Sequence, residues 1–118
     1  MRGLTILVAS ADADRFRSAL ELGATHAALG GRVRLFLHAP AVRLIAASDG
    51  DDDGLRLAGL PTRAELIETC LDLGAAIILC QSGVALASLN LTDLDARIET
   101  GGLVGTLAAL GEDRLVAM

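Results

Sequence analysis

Lysine, tyrosine and tryptophan are absent from this 118-residue sequence. All ten basic residues are arginine. Without lysine, a Walker-type phosphate loop and Schiff-base catalysis are excluded. The two aromatic residues, Phe16 and Phe36, offer almost no stacking platform. The arginines are scattered and the formal net charge is −5, so nucleic acid is not an expected partner. Two cysteines, Cys70 and Cys80, make no disulfide framework, and no Cys-x-x-Cys pair or Gly-x-Ser-x-Gly elbow occurs. The longest apolar run, Ala75 to Leu91, is broken by Gln81, Ser82, Gly83 and Asn90. It falls short of the roughly 20 residues that span a bilayer. Leu4–Val8 is shorter than the roughly 7–15 apolar residues of a secretory signal. The expectation is a soluble, cytoplasmic protein with no membrane partner.

What is present is apolar and aliphatic. Hydrophobic residues make up 53% of the chain, and the mean hydropathy is +0.54. Such a composition excludes disorder and fits a single domain over residues 1–118. A domain this small has little interior, so part of its apolar surface is expected at a subunit interface, in a homo-oligomer.

Short apolar runs alternate with helical periodicities. Gly3–Ala9 reads as a buried strand, and Asp12 then caps a helix with Phe16, Ala19, Leu20, Gly23, Ala24, Ala27 and Ala28 inward, ended by Gly30-Gly31. Val33–His38 alternates apolar and polar residues and reads as a less central strand. Pro40 opens a short helical turn through Val42, Ile45 and Ala46, followed by a polar loop from Ser48 to Gly54. Thr62 and Glu65 form a capping box for a helix bearing Leu66, Ile67, Cys70 and Leu71, stopped at Gly74. Ala75–Leu79 is the most apolar strand and runs into a helical stretch through Leu89. Thr92 is expected to cap a further short helix bearing Leu94 and Ile98. Gly101-Gly102 breaks the chain as a turn between close-packed helices, Leu103–Leu110 is a helix, and Arg114–Ala117 is a closing strand. This alternation predicts an α/β fold, a three-layer α/β/α sandwich around a mainly parallel sheet of four or five strands.

A parallel sheet gathers the C-terminal ends of its strands on one edge, where ligands bind at the topological switch point. That edge collects Ser10, His38 and Cys80. Cys80 also stands where a helix begins, and free amides with the helix dipole favour a thiolate there. Position alone leaves two readings for Cys80, an activated nucleophile or a small buried hydrophobe. Cys70, between Ile67 and Leu71 on an apolar face, reads as packing. His38 is a candidate electrostatic partner of Cys80 or a hydrogen-bonded strand end, and His26 a surface or interface residue. The histidines and cysteines lack metal-ligand spacing, so no metal site is expected. The acidic run Asp49–Gly54 begins like a calcium loop but places Leu60 where the bidentate glutamate belongs, and reads as a solvated loop. Gly101-Gly102-Leu103-Val104-Gly105 follows no strand directly and is not a dinucleotide fingerprint.

The order of these features resembles the DsrE/DsrF-like family, which includes sulfur-relay subunits. The likeness runs over nearly the whole chain. It is densest in Cys80-Gln81-Ser82 and the downstream Ile98-Glu99-Thr100-Gly101-Gly102. The resemblance implies a persulfide carried on Cys80, with no cofactor, in a trimer or hexamer that exchanges sulfur with donor and acceptor proteins. Amides of Gln81, Ser82 and Gly83 would stabilise the charged sulfur, with Ser10 and His38 as wall residues. Ser82-Gly83 replaces the small apolar residues usual after that cysteine, and no Arg-Gly pair follows the next helix. The alternatives are a non-catalytic module binding a small anion at the same edge and a structural oligomer subunit.

Overall fold

Residues 1–48 and 50–118 are described by the structure, a computed structural model. Aliphatic runs make the strands β1 (Leu4–Val8), β2 (Val33–Leu37) and β3 (Ala76–Cys80). Two shorter strands, β4 (Glu99–Gly101) and β5 (Arg114–Ala117), complete a single all-parallel sheet in the order β4-β3-β2-β1-β5. Ile6 lies opposite Leu35 and Val116, Leu35 opposite Ile77, and Cys80 opposite Gly101.

The helices are α1 (Ala13–Ala28), α2 (Asp52–Leu57), α3 (Arg63–Asp72), α4 (Gln81–Leu86) and α5 (Leu103–Ala108). A 3-10 helix spans Ala39–Ile45. Asp12 caps α1 by accepting the Arg15 N–H at 3.0 Å, and the Thr62–Glu65 capping box opens α3. Three successive crossovers step from β1 to β4 in one direction, and by the right-handed rule for parallel connections their helices share one face. The return from β4 to β5 crosses the sheet and carries α5 to the other. The result is a three-layer α/β/α sandwich with unequal outer layers.

The main core lies between the sheet and α1, α3 and the 3-10 helix. Ile6, Val8, Leu35, Leu37, Ile77 and Leu79 are fully buried there with Phe16 and Leu20. Each such side chain contributes roughly 1.5–3 kcal/mol. Gly23 brings α1 onto the sheet, since a Cβ there would stand 3.1 Å from Leu35 Cδ1 and 3.3 Å from Val33 Cγ1. Arg63 is buried and ties α3 to the 3-10 helix, donating to the carbonyls of Leu44 (3.2 Å) and Ala47 (2.8 Å). The opposite sheet face is covered sparsely. Phe36 is buried on it, but Leu7, Ala76 and Ile78 are half-buried, and Leu115 is 46% exposed. Thr106 is the single buried residue of α5.

Several expectations are corrected. β2 is the central strand, not a peripheral one; its alternation reflects the thinly covered face, where Arg34 reaches Thr5 Oγ1 at 3.0 Å. Part of the acidic run folds as α2, with Asp52 and Asp53 in the first turn, where carboxylates complement the helix dipole. Asp49 lies outside the described residues. α4 ends at Leu86, and Ser88 has φ 50°, which turns the chain away. Thr92 caps no helix: Asn90 Oδ1 accepts the Thr92 N–H at 3.1 Å, opening a one-turn 3-10 helix over Leu91–Asp93. Gly101 belongs to β4, and Gly102 caps α5 instead of joining packed helices.

Candidate functional site

β3 delivers Cys80 to the C-terminal edge of the sheet, where it is both the last strand residue and the N-cap of α4. Its side chain makes no capping hydrogen bond, but the free amides of the second and third helical residues, Ser82 and Gly83, lie at the same helix end. β2 delivers His38 to the same edge, and the next residue, Ala39, enters the 3-10 helix with φ 34°. Pro40 disfavours right-handed helical backbone at the residue before it, and Ala39 takes a left-handed value that costs on the order of 1–3 kcal/mol. Gly83 lets α4 pack directly on this turn. A Cβ at position 83 would stand 2.6 Å from the Ala39 carbonyl oxygen and 2.6 Å from Val42 Cγ2.

Two elements thereby converge on one sulfur. Burial pushes the Cys80 thiol up, but the nearby backbone N–H groups of Ala39, Gly83 and Ser82 and the Ser82 side chain pull it down. Together they outweigh the burial and hold Cys80 below the ordinary thiol pKa. Cys80 is 8% exposed and lines a cleft of about 220 Å³ with His38, Gln81, Ser82, Gly102 and Leu103. His38 Nδ1 is buried and has no hydrogen-bond partner among the described residues. Cys70 is the opposite case. It is fully buried, donates to the Leu20 carbonyl at 3.3 Å, and burial pushes its thiol up to about 11.

Of the residues singled out from the sequence, Cys80, Gln81, Ser82 and His38 line one cleft, and Gly83 acts on the sulfur. Gln81 is a wall and not one of the groups acting on the sulfur, consistent with its place as the first helical residue. Ser10 follows β1, two strands from β3, and does not line the cleft. The topological switch also lies elsewhere, between β1 and β5, so the cleft occupies the expected edge but not the switch point. Ala39 is the contributor that pattern reading missed. The signal was a residue preceding proline immediately after a strand on the working edge. Gly102 and Leu103 join the wall because Gly101 pairs beside Cys80 in β4.

Among the described residues, no group of three or more His, Cys, Asp or Glu side chains could hold a metal, and no helix is long and apolar enough to cross a membrane. No family model matches the chain, and no curated protein matches it. Solved structures do. The ychN protein of E. coli is 18% identical with a TM-score of 0.71, each chain covered in full. MTH1491 of Methanobacterium thermoautotrophicum, a protein of unknown function, is 10% identical with a TM-score of 0.72, again over the full length of both chains. BT1422 of Bacteroides thetaiotaomicron, a conserved protein of unknown function, is 15% identical with a TM-score of 0.64, over 97% of this chain and 94% of that one. The chain shares with them the DsrE-like fold.

Proposed function

We propose that the protein is a persulfide carrier, with Cys80 as the nucleophile and the sulfur-bearing residue. The observation that supports this reading best is the place of Cys80 at a strand end and helix start on the wall of an open cleft, where amides of two separate elements lower its thiol pKa. A thiolate is the attacking species in sulfur exchange, and a lowered thiol pKa favours it. In the loading step, the Cys80 thiolate attacks the outer sulfur of a donor persulfide. A new S–S bond forms, the donor's S–S bond breaks, and the donor leaves as a thiol or thiolate. An acceptor thiolate then attacks the outer sulfur on Cys80, and Cys80 departs as the thiolate. Both steps are exchanges without net oxidation. The charge of the persulfide falls beside the amides of Ala39, Ser82 and Gly83, and His38 and Leu103 bound the cleft it enters.

The same reading includes assembly into a homo-oligomer, a trimer or hexamer by family resemblance. Its support is the thinly covered sheet face. Leu115 and Leu107 are nearly half exposed beside half-buried Leu7 and Ile78, and Val104 is 86% exposed. A monomer in sedimentation would remove that part alone. The test of sulfur carriage is to incubate wild type and Cys80→Ser with a polysulfide, desalt and weigh each. One added sulfur, removable by a thiol reductant, is expected on wild type and not on the variant. Sulfur retained by the variant would sink the assignment.

A further inference from the structure

A second cavity, of about 420 Å³, adjoins the sulfur nest without containing Cys80. Its walls are Ala39, Pro40, Arg43, Gly83, Leu86 and Ala87. Two of them, Ala39 and Gly83, also help to lower the Cys80 thiol pKa. The cavity exists because the 3-10 helix and α4 meet closely at Gly83 and diverge beyond it.

Its chemistry is one-sided. Alanine, proline, glycine and leucine carbons make up the surface, and Leu86 at the rim is 82% exposed. Among the described residues, Arg43 is the one charged side chain in the wall. Its Nε donates to the Pro40 carbonyl at 3.2 Å, which tethers the guanidinium at the cavity. Its two terminal nitrogens make no ion pair or hydrogen bond among the described residues, so both donors of the guanidinium fork are uncommitted. The volume falls within the roughly 300–1,000 Å³ of small-molecule sites, which are mostly apolar with a few placed polar groups.

We propose that this cavity binds a small amphipathic carboxylate, its aliphatic part against Pro40, Leu86 and Ala87 and its carboxylate on the Arg43 guanidinium. A fork of two parallel N–H donors matches one carboxylate, and a single positive charge balances a single negative one. A dianionic phosphate would keep a second charge uncompensated against apolar walls. A larger cavity, of about 610 Å³, is an internal contrast. It too has aliphatic walls, including Ile67 and Leu71, but its rim carries Glu68, Asp93 and Asp95. Glu68 and Asp93 have no cationic partner among the described residues, so that cavity repels the ligand that this one attracts.

Octanoate is the probe, titrated into the full chain while the backbone amides of Ala39, Gly83 and Ala87 are followed by NMR. Saturable shifts at these three amides are expected, with a dissociation constant on the order of 1 mM for a ligand of this size. Arg43→Gln, at an exposed position, is expected to weaken binding about tenfold by removing the charge-assisted pair. Octylamine, with the same tail and opposite charge, is expected to leave the three amides unmoved. Cys80→Ser is expected to bind octanoate as wild type does, so this proposal and sulfur carriage stand or fall separately. Equal affinity in Arg43→Gln, equal shifts with octylamine, or no saturable shift would overturn the proposal. Shifts of the same amides with protein concentration alone would also overturn it, by assigning the cavity to a second copy of the chain.

Discussion

Replacing Gly83 with alanine tests the geometry that makes Cys80 special. The added methyl would stand 2.6 Å from both the Ala39 carbonyl oxygen and Val42 Cγ2, and 3.1 Å from Ala39 Cα. Two of these three atoms are backbone, in a turn already held at φ 34°, so the short α4 must lift away. Alanine gains about 1 kcal/mol over glycine inside a helix, whereas overpacking costs roughly 1–3 kcal/mol. The steric term wins because both contacted groups are fixed, and a net loss of about 1 kcal/mol, or a Tm lower by roughly 4 °C, is expected. Lifting α4 also separates Gly83 N–H from Ala39 N–H, both of which lower the Cys80 pKa. The Cys80 pKa therefore rises toward that of an ordinary thiol. The assay is the pH dependence of Cys80 alkylation, read beside thiolate absorbance, which no tyrosine or tryptophan obscures. A variant as stable as wild type with an unchanged alkylation profile would refute this reasoning.

Four further outcomes concern the two thiols, a buried ion pair and a helix cap. Cys70 is pushed up to about 11 in the fold, so unfolding between the ordinary thiol pKa and about 11 releases a proton, and stability falls as pH rises through that window. The drop, on the order of 2–3 kcal/mol, is readable in urea midpoints because no lysine or tyrosine titrates there. It is expected to vanish in Cys70→Ala, and a flat wild-type profile would count against the burial argument. Cys80 acts with the opposite sign: its lowered pKa supplies stability that is full above the ordinary thiol pKa and lost as pH falls through its own folded value. Asp113 is buried, accepts the Thr5 hydroxyl at 2.9 Å, and pairs with Arg32 and with Arg34 at 3.6 Å. Asp113→Ala leaves Arg34 without its counter-charge and is expected to cost about 3 kcal/mol in chemical denaturation, with Asp113→Asn milder; a loss near zero would refute the pairing. Thr62→Ala removes the capping box of α3 and is expected to cost about 1 kcal/mol by the same measurement.

Legibility in the sequence followed the length and purity of each signal. β1, β3, α1 and α3 announce themselves by apolar runs or periodicity with caps, and they fold where those patterns place them. β4 has three residues, Glu-Thr-Gly, too few to display a period, and its pairing beside Cys80 is a tertiary decision. β2 misled because alternation reports an unevenly covered face and not a peripheral position. At the site, Cys80, Ser82 and His38 were legible as strand ends and helix starts. Ala39 was not, because its contribution comes through its N–H and a left-handed φ forced between β2 and Pro40. Ser10 shares the edge by topology, but the strand order, which sequence does not reveal, sets it two strands away.

Site-resolved alkylation of the native protein at neutral pH tests the central claim most directly. Both cysteines lie in one molecule, so each serves as the other's control. Rapid modification of Cys80 is expected, while Cys70 stays untouched until the chain is unfolded. An inert Cys80, or two cysteines reacting at the same rate, would contradict it.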